Sequence, residues 1–306
     1  MSKNDKPKIL CVDDEQEVLN SLERLLRHDF EVTTCNHPVE ALSIFENSPN
    51  FAIILSDYRM PELNGIELLT KIRQKNPTSV RAILSGQMDV KDIAEAINRA
   101  EIHRFILKPW DNEYLKLQML EATQSHIRLV EKRKLEIQAI TDPVTGLTNH
   151  RYFQDKLEDL FQSAIETNDP LSVVMIDVDH FKSYNDRYGH PEGDRLLFNI
   201  GQRMLHFFPP PVTLSRYGGE EFSIIIPGKT AIEVKEEVEK LRMDLEENPF
   251  PGPFDKEAYV TISLGVASFP DHKKSAKNLL EAADRALYQA KHQGRNQTQL
   301  AYTSPA

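Results

Sequence analysis

The chain has 306 residues, enough for two ordinary domains with sizeable cores. At 40% hydrophobic, 27% charged and a formal net charge of −10, it has ordinary soluble composition and is a poor candidate for nonspecific binding to nucleic acid or anionic membrane. No apolar run approaches a membrane span, the start Met1-Ser2-Lys3-Asn4-Asp5-Lys6 lacks a signal-peptide core, and Cys11 and Cys35 are too few for a disulfide scaffold, so a cytoplasmic protein with buried thiols is expected. From residue 7, short apolar runs alternate with amphipathic stretches. Lys8–Val12, Val32–Cys35, Phe51–Leu55, Val80–Leu84 and Arg104–Leu107 read as strands; Glu15–Arg27, Val39–Asn47, Gly65–Lys75 and Val90–Arg99 have helical spacing. This alternation predicts a doubly wound parallel α/β sheet, whose site lies at the carboxyl ends of the strands. Asp13 and Asp14 follow the first strand, Asp57 the third, Ser85 the fourth and Lys108 the fifth. Converging carboxylates repel unless a divalent cation offsets them, and a hydroxyl and an ammonium beside them can hold a phosphoryl group. Acidic strand ends are common, but five polar residues at four such junctions are poorly explained by chance.

Asp111 is a suitable N-cap, and Asn112 to Ile140 contains neither Gly nor Pro, so one long helix is expected. Leu120, Ile127 and Lys134 at a positions, with Thr123, Val130 and Ile137 at d, make a short imperfect coiled-coil seam. The alternative is a solvated linker held by charge pairs. The dimer reading is preferred because isolated helices are marginal without packing.

Thr141-Asp142-Pro143-Val144-Thr145-Gly146-Leu147-Thr148-Asn149 breaks the helix with turn residues and opens a new domain. His150–Ile165 reads as helix and Ser172–Val178 as a strand ending in Asp177-Val178-Asp179, turning directly into His180-Phe181-Lys182. A carboxylate-tipped strand followed by a helix start is suited to phosphate and metal. Helices at Arg195–Phe207, Ala231–Glu246 and Lys277–His292 and a strand at Ala258–Ala267 complete the pattern. Val212-Thr213-Leu214-Ser215 and Ser223-Ile224-Ile225-Ile226-Pro227 flank Arg216-Tyr217-Gly218-Gly219-Glu220-Glu221-Phe222 and predict a hairpin with two adjacent carboxylates at its tip. Hard oxygen ligands of this kind suit Mg²⁺ and phosphate substrates. Lys291 and Arg295 flank the last helix end near Gly294 and are free to reach polyphosphate.

Two resemblances organise these motifs. Residues 7–124, through Val12-Asp13-Asp14-Glu15, Ser56-Asp57-Tyr58-Arg59-Met60-Pro61, Ser85-Gly86 and Lys108-Pro109-Trp110, resemble the response-regulator receiver family. That resemblance implies that Asp57 accepts phosphate from a histidine kinase, that Asp13, Asp14, Asp57 and the Arg59 carbonyl bind Mg²⁺, and that Ser85 and Lys108 contact the phosphoryl oxygens. Phe105 is then either the aromatic that reorients or plain core packing. Residues 141–299, through Asp142, Thr145-Gly146-Leu147-Thr148-Asn149, Asp177-Val178-Asp179-His180-Phe181-Lys182, Asn185, Gly189-His190, Gly193-Asp194, the Gly218–Phe222 motif and Lys291…Gly294-Arg295-Asn296, resemble the diguanylate cyclase (GGDEF) family.

By the second resemblance the domain has a palm-like α/β fold and condenses two GTP into cyclic di-GMP and two pyrophosphates. Asp177, the Val178 carbonyl, Glu220 and Glu221 are implied to hold Mg²⁺, Glu220 to assist deprotonation of the 3′-hydroxyl, Asn185 and Asp194 to bind guanine, and Lys182, Lys291 and Arg295 to contact phosphates. Phe181 and His190 belong to the same substrate site. Glu at the motif's third position and His150 in place of the usual Arg are the departures. The expected organisation is a receiver at 1–124, a connecting helix at 111–140 and a cyclase at 141–306, working as a homodimer through receiver and helix, with neither nucleic acid nor membrane as partner. One site holds one GTP, so two domains must meet face to face. The Arg-x-x-Asp product-inhibition motif that many members carry is replaced by Pro209-Pro210-Pro211-Val212, and Arg203 lies in the preceding helix, so tight feedback there is not expected. A degenerate nucleotide sensor and a cyclase of different base specificity are the competing readings; every metal carboxylate and Lys291 is present, which disfavours the first.

Overall fold

The computed structural model describes residues 6–86, 100–252, 257–272 and 275–302. The expected helix Val90–Arg99 lies outside the described residues. The chain divides into two compact units, Met1–Glu136 and Ile137–Ala306. None of the described helices is long and apolar enough to cross a membrane.

In the first unit, strands β1 (Lys8–Val12), β2 (Glu31–Cys35), β3 (Ile53–Asp57), β4 (Val80–Ser85) and β5 (Arg104–Leu107) form a parallel sheet in the order β2-β1-β3-β4-β5. The inner strands β1, β3 and β4 are buried on both faces, which is why they read as largely apolar runs, whereas the edge strands β2 and β5 are partly exposed. Helix α1 (Gln16–Leu26) inserts Leu19, Leu22 and Leu26 on one face, together with Leu115, Met119 and Ala122 of α4 (Asn112–Ile140). Helices α2 (Pro38–Asn47) and α3 (Gly65–Lys75) cover the other face through Phe45, Ile66, Leu69 and Ile72. Cys11 and Cys35 are buried free thiols assigned to opposite cores, and burial pushes Cys11 up to about 12. Asp111 caps α4 by accepting from the Tyr114 amide at 2.8 Å.

In the second unit a mixed sheet runs β13-β12-β7-β9-β8-β6, built from β6 (Thr148–Asn149), β7 (Leu171–Val178), β8 (Thr213–Gly218), β9 (Glu221–Pro227), β12 (Ile262–Phe269) and β13 (Thr298–Leu300). Helix α5 (His150–Thr167) and α9 (Ala276–His292) pack on one face through Phe153, Leu157, Phe161, Leu279 and Leu287. Helix α7 (His190–Phe207) and α8 (Ala231–Glu247) pack on the other through Leu197, Ile200, Val238 and Leu241. A short helix, α6 (Phe181–Tyr188), follows β7 directly. The expected helix Arg195–Phe207 begins earlier, at His190, with Pro191 in its first turn. The expected strand Ala258–Ala267 is broken. Glu257–Ala258 (β11) pairs with Phe250–Pro251 (β10), and pairing with β7 resumes only at Ile262. The intervening Thr261 instead turns its carbonyl toward the Asp179 amide at 2.9 Å and its hydroxyl toward the Asp179 carboxylate at 2.8 Å.

Helix α9 carries Lys291, and one residue sets how closely it sits on the sheet. A Cβ on Gly265 of β12 would lie 2.1 Å from both the Ala283 oxygen and the Leu287 nitrogen, backbone atoms that cannot rotate away. We expect Gly265→Val to lift α9 and destabilise the unit by ~1–3 kcal/mol or more. The denaturant midpoint of the purified variant checks this; an unchanged midpoint would show that the helix seat tolerates added volume.

Candidate functional site

In the first unit, the strand order puts the β1/β3 switch point where Asp13 follows β1 and β3 ends at Asp57. Lys108, just past β5, reaches both: its Nζ lies 2.7 Å from Asp13 Oδ2 and 2.5 Å from Asp57 Oδ1. Asp57 Oδ2 also accepts from the Arg59 amide at 2.7 Å, and Asp13 Oδ1 from the Glu15 amide at 3.0 Å. Burial pushes the Asp13 carboxyl up, and Lys108 offsets part of that shift. Lys108 is itself held above its usual range because its bonds to the two carboxylates outweigh its own burial. A cavity of about 400 Å³ opens over Asp14, Asp57, Arg59, Ser85 and Lys108. Gly65 is sterically required at the start of α3, since a Cβ there would lie 2.2 Å from the Asp57 carbonyl oxygen. Phe105 is partly buried against the core cluster containing Met60 and Ile83, which leaves both readings of it open.

In the second unit, Asp177 of β7 pairs in register with Glu221 of β9 and Ser263 of β12, so the hairpin carboxylates stand beside the strand end. Side chains alternate along a strand, and Asp177 follows Val173 and Met175 on the face that α9 covers. There Lys291 Nζ meets Asp177 Oδ2 at 2.6 Å. Glu220 turns in at Gly219, whose φ is +50°, and its carbonyl accepts from the Val178 amide at 3.2 Å. Burial, then the Asp177 charge, raises the Glu220 carboxyl; burial also raises Glu221 and Asp177, with Lys291 opposing each. Lys291 therefore opposes the charge of all three carboxylates, which repel one another, and Arg295 acts on Asp177 as well.

The expected base-binding residues surround the α6–α7 junction. Among the described residues Asn185 Oδ1 is buried without a hydrogen-bond partner, and a Cβ on Gly193 would lie 1.8 Å from it. An acceptor held against a glycine is suited to a flat ligand that donates hydrogen bonds. Asp194, His190 and Lys182 are exposed around it, and Arg295 is exposed after α9. Phe181 is 6% exposed, with its ring in the core, so only its main chain is available at the helix start.

Two polar contacts escaped motif reading as structural links. Asp142 accepts from the Thr145 amide and hydroxyl, both at 2.8 Å, and lies 3.3 Å from Arg216 Nη1. Arg216 in turn donates to the Gly219 carbonyl through Nε at 2.9 Å and Nη2 at 2.7 Å. Burial alone would raise Asp142, but these hydrogen bonds and the guanidinium hold it below the usual carboxylate range. The domain entry is thereby tied to the hairpin turn. The second link, around Asp179 and Asn296, is taken up below.

Among the described residues no three His, Cys, Asp or Glu side chains gather closely enough to ligate an ion by themselves. The donor chemistry nevertheless fits Mg²⁺, which is bound by one or two carboxylates with water and substrate phosphates more often than by a full protein cage. Hard carboxylate oxygens gathered beside a lysine meet that description at both strand ends.

Residues 139–297 match the family described as diguanylate cyclase, GGDEF domain, and residues 9–120 match the response regulator receiver domain. The chain is 30% identical over 276 residues to the diguanylate cyclase VdcA of Vibrio cholerae, covering 89% of this chain and 74% of that one. It is 29% identical over 275 residues to the response regulator PleD of Caulobacter vibrioides, covering 84% of this chain but only 60% of PleD. Among solved structures, the coiled coil and GGDEF domain of DgcB from Caulobacter crescentus, in complex with c-di-GMP, matches with a TM-score of 0.57 and 29% identity over 61% of this chain and 99% of that one. The DgcB GGDEF domain alone gives a TM-score of 0.51 at 32% identity over 53% and 96%. The carboxylate-tipped hairpin beside β7 and the lysine-bridged aspartates of the first sheet thus lie in the two matched segments, and the chain belongs to the diguanylate cyclase GGDEF-domain family, with an N-terminal response-regulator receiver domain.

Proposed function

We propose that the protein is a phosphorylation-regulated diguanylate cyclase, condensing two GTP into cyclic di-GMP and two pyrophosphates. The observation that carries this reading is the meeting of Asp177, Glu220 and Glu221 with Lys291 at one sheet edge. The orphaned Asn185 acceptor beside Gly193 supports a nucleobase nearby.

In this reading the 3′-oxygen of one GTP attacks the α-phosphorus of the other, the bond to the β-phosphate oxygen breaks, and pyrophosphate leaves. Glu220, on the hairpin beside the end of β7, takes the 3′-hydroxyl proton. Lys291, Lys182 and Arg295 receive the triphosphate, with Lys291 leaving Asp177 to do so. Asp177, the Val178 carbonyl, Glu220 and Glu221 would hold Mg²⁺, which supplies charge neutralisation at the attacking and leaving oxygens. Asn185 and Asp194 read guanine, whose N1–H and 2-amino group donate where adenine has no matching donors; such a site discriminates by ~10⁴-fold or more. His190 and the Phe181 main chain border this pocket.

Asp57, which Lys108 already contacts, is the phosphoacceptor for a histidine kinase, with Ser85 and Lys108 holding the phosphoryl group and Asp13, Asp14 and the Arg59 carbonyl holding Mg²⁺. Along α4, Leu120, Val130 and Ile137 are 40%, 42% and 43% exposed, whereas Leu115, Met119 and Ala122 are buried in the first unit's core. An apolar stripe left over after intradomain packing supports a coiled-coil seam that brings two cyclase domains together. Product feedback is weak: residues 209–212 carry no charge, and Arg203 is already engaged with the Asn248 carbonyl at 2.6 Å, Asp244 at 3.3 Å and the Phe250 ring.

Incubation with GTP, ATP or both, with products identified by mass spectrometry, tests the reading. Cyclic di-GMP from GTP alone is expected, and Asp177→Ala or Glu220→Ala should lower turnover by ~10²-fold or more. Near-normal turnover in either variant, or equal product from ATP, would remove the assignment. Beryllofluoride, a phosphate mimic, should raise the rate of the wild type and leave Asp57→Asn unchanged. Equal rates with and without it across the dimer transition would remove the coupling. Calorimetry should find no submicromolar cyclic di-GMP site, weaker than about −8 kcal/mol; tight binding that disappears when residues 209–212 are replaced would restore feedback to the account.

A further inference from the structure

We infer that Asp179 is a positioning residue that, together with Arg242, locks the turn after α9 so that Arg295 faces the triphosphate. The inference rests on the cyclase reading above and concerns how that site is built. Asp179 lies one residue beyond β7 and is 5% exposed. Its carboxylate accepts three hydrogen bonds: Thr261 Oγ1 at 2.8 Å and the Asn296 amide at 3.0 Å on Oδ2, and Ser263 Oγ at 2.7 Å on Oδ1. All three donors are neutral. A buried carboxylate bonded in this way holds fixed backbone rather than balancing charge.

The segment it holds is unusual. Gly294, Arg295 and Asn296 have φ of +114°, +62° and +46° in succession. Glycine adopts such angles freely and asparagine tolerates them, but arginine does not. A non-glycine residue persists there only when its surroundings over-determine it. The Arg295 amide donates to the Ala290 carbonyl at 3.0 Å, closing the helix end. Through its side chain, Asn296 Oδ1 accepts from Arg242 Nη1 at 2.6 Å and Nδ2 donates to Glu246 Oε1 at 2.8 Å. Arg242 is fixed by Glu239 at 2.6 Å and Glu246 at 2.7 Å. Asn296 is therefore gripped through its backbone from the end of β7 and through its side chain from α8. Arg295, the residue between this clamp and the helix end, is left exposed. It follows closely on the helix end that places Lys291 Nζ 2.6 Å from Asp177 Oδ2, so the clamp sets it beside the same strand end.

The same chemistry dictates the test. In Asp179→Asn the amide oxygen can keep Thr261 and Asn296 while the Ser263 hydroxyl turns to accept from the new NH₂. In Asp179→Ala the Asn296 amide loses its acceptor. Binding of a non-hydrolysable GTP analogue with Mg²⁺ to the full chain is measured by calorimetry for wild type, both variants, Arg295→Ala and the double variant Asp179→Ala/Arg295→Ala. We expect Asp179→Ala to weaken binding ~10-fold, Asp179→Asn to stay within ~3-fold of wild type, and the double variant to bind no more weakly than Arg295→Ala alone. Arg242→Met, which loosens the other side of the clamp, should show the same dependence on Arg295 and serves if Asp179→Ala does not fold. Additive losses, or undiminished binding by Asp179→Ala, would overturn the positioning role. Failure of the wild type to bind the analogue would instead overturn the cyclase reading.

Discussion

Carboxylates crowded at the end of a sheet need a cation, and both units answer that need with a lysine on a neighbouring element. Lys108 spans Asp13 and Asp57 in one; Lys291 meets Asp177 beside Glu220 and Glu221 in the other. A lysine ammonium is a compact charge on a flexible stem. It can neutralise the site in one state and move to a phosphate oxygen in another without rebuilding the backbone. The surrounding structure is suited to the exchange proposed above. Gly65 lets α3 close onto Asp57, and Gly265 lets α9 sit low enough for Lys291 to reach the strand end.

The second site also depends on contacts between segments far apart in the chain. Arg216 joins Asp142, at the entry to the domain, to the carbonyl of Gly219 at the hairpin turn. Asp179 fixes the backbone of Asn296 and Arg242 its side chain. A site assembled from a hairpin, a strand end and a helix end is only as accurate as the ties between them, because small misplacements of charged groups cost large factors in rate.

What could be read in the sequence follows from the range of each interaction. The parallel sheet of the first unit was legible because its inner strands β1, β3 and β4 are buried on both faces and its polar residues fall at the strand ends, as with Asp57 and Lys108. The hairpin carboxylates and Asp177 were legible because apolar runs of β-type frame them. The break at Tyr259–Thr261 was not, since Val260 continues the apolar pattern and only the bonds of Thr261 to Asp179, 82 residues away, take the chain out of the sheet. Strand β6 was read as turn because two residues carry no periodicity. The role of Asn296 was hidden for a similar reason: its partners are 117 and 54 positions away, and Arg242 with Glu239 and Glu246 has the spacing of an ordinary solvated helix face. Phe181 shows the converse, a motif residue whose ring serves the core.

The central claim is that Lys291 stands on Asp177 where a metal-bound triphosphate is to be received. A crystal structure with Mg²⁺ and a non-hydrolysable GTP analogue tests it most directly. The account predicts Lys291 Nζ on a phosphate oxygen, with Asp177 and Glu220 turned to the metal and the base against Asn185 and Asp194. A nucleotide bound elsewhere, with Lys291 still 2.6 Å from Asp177 Oδ2, would contradict it.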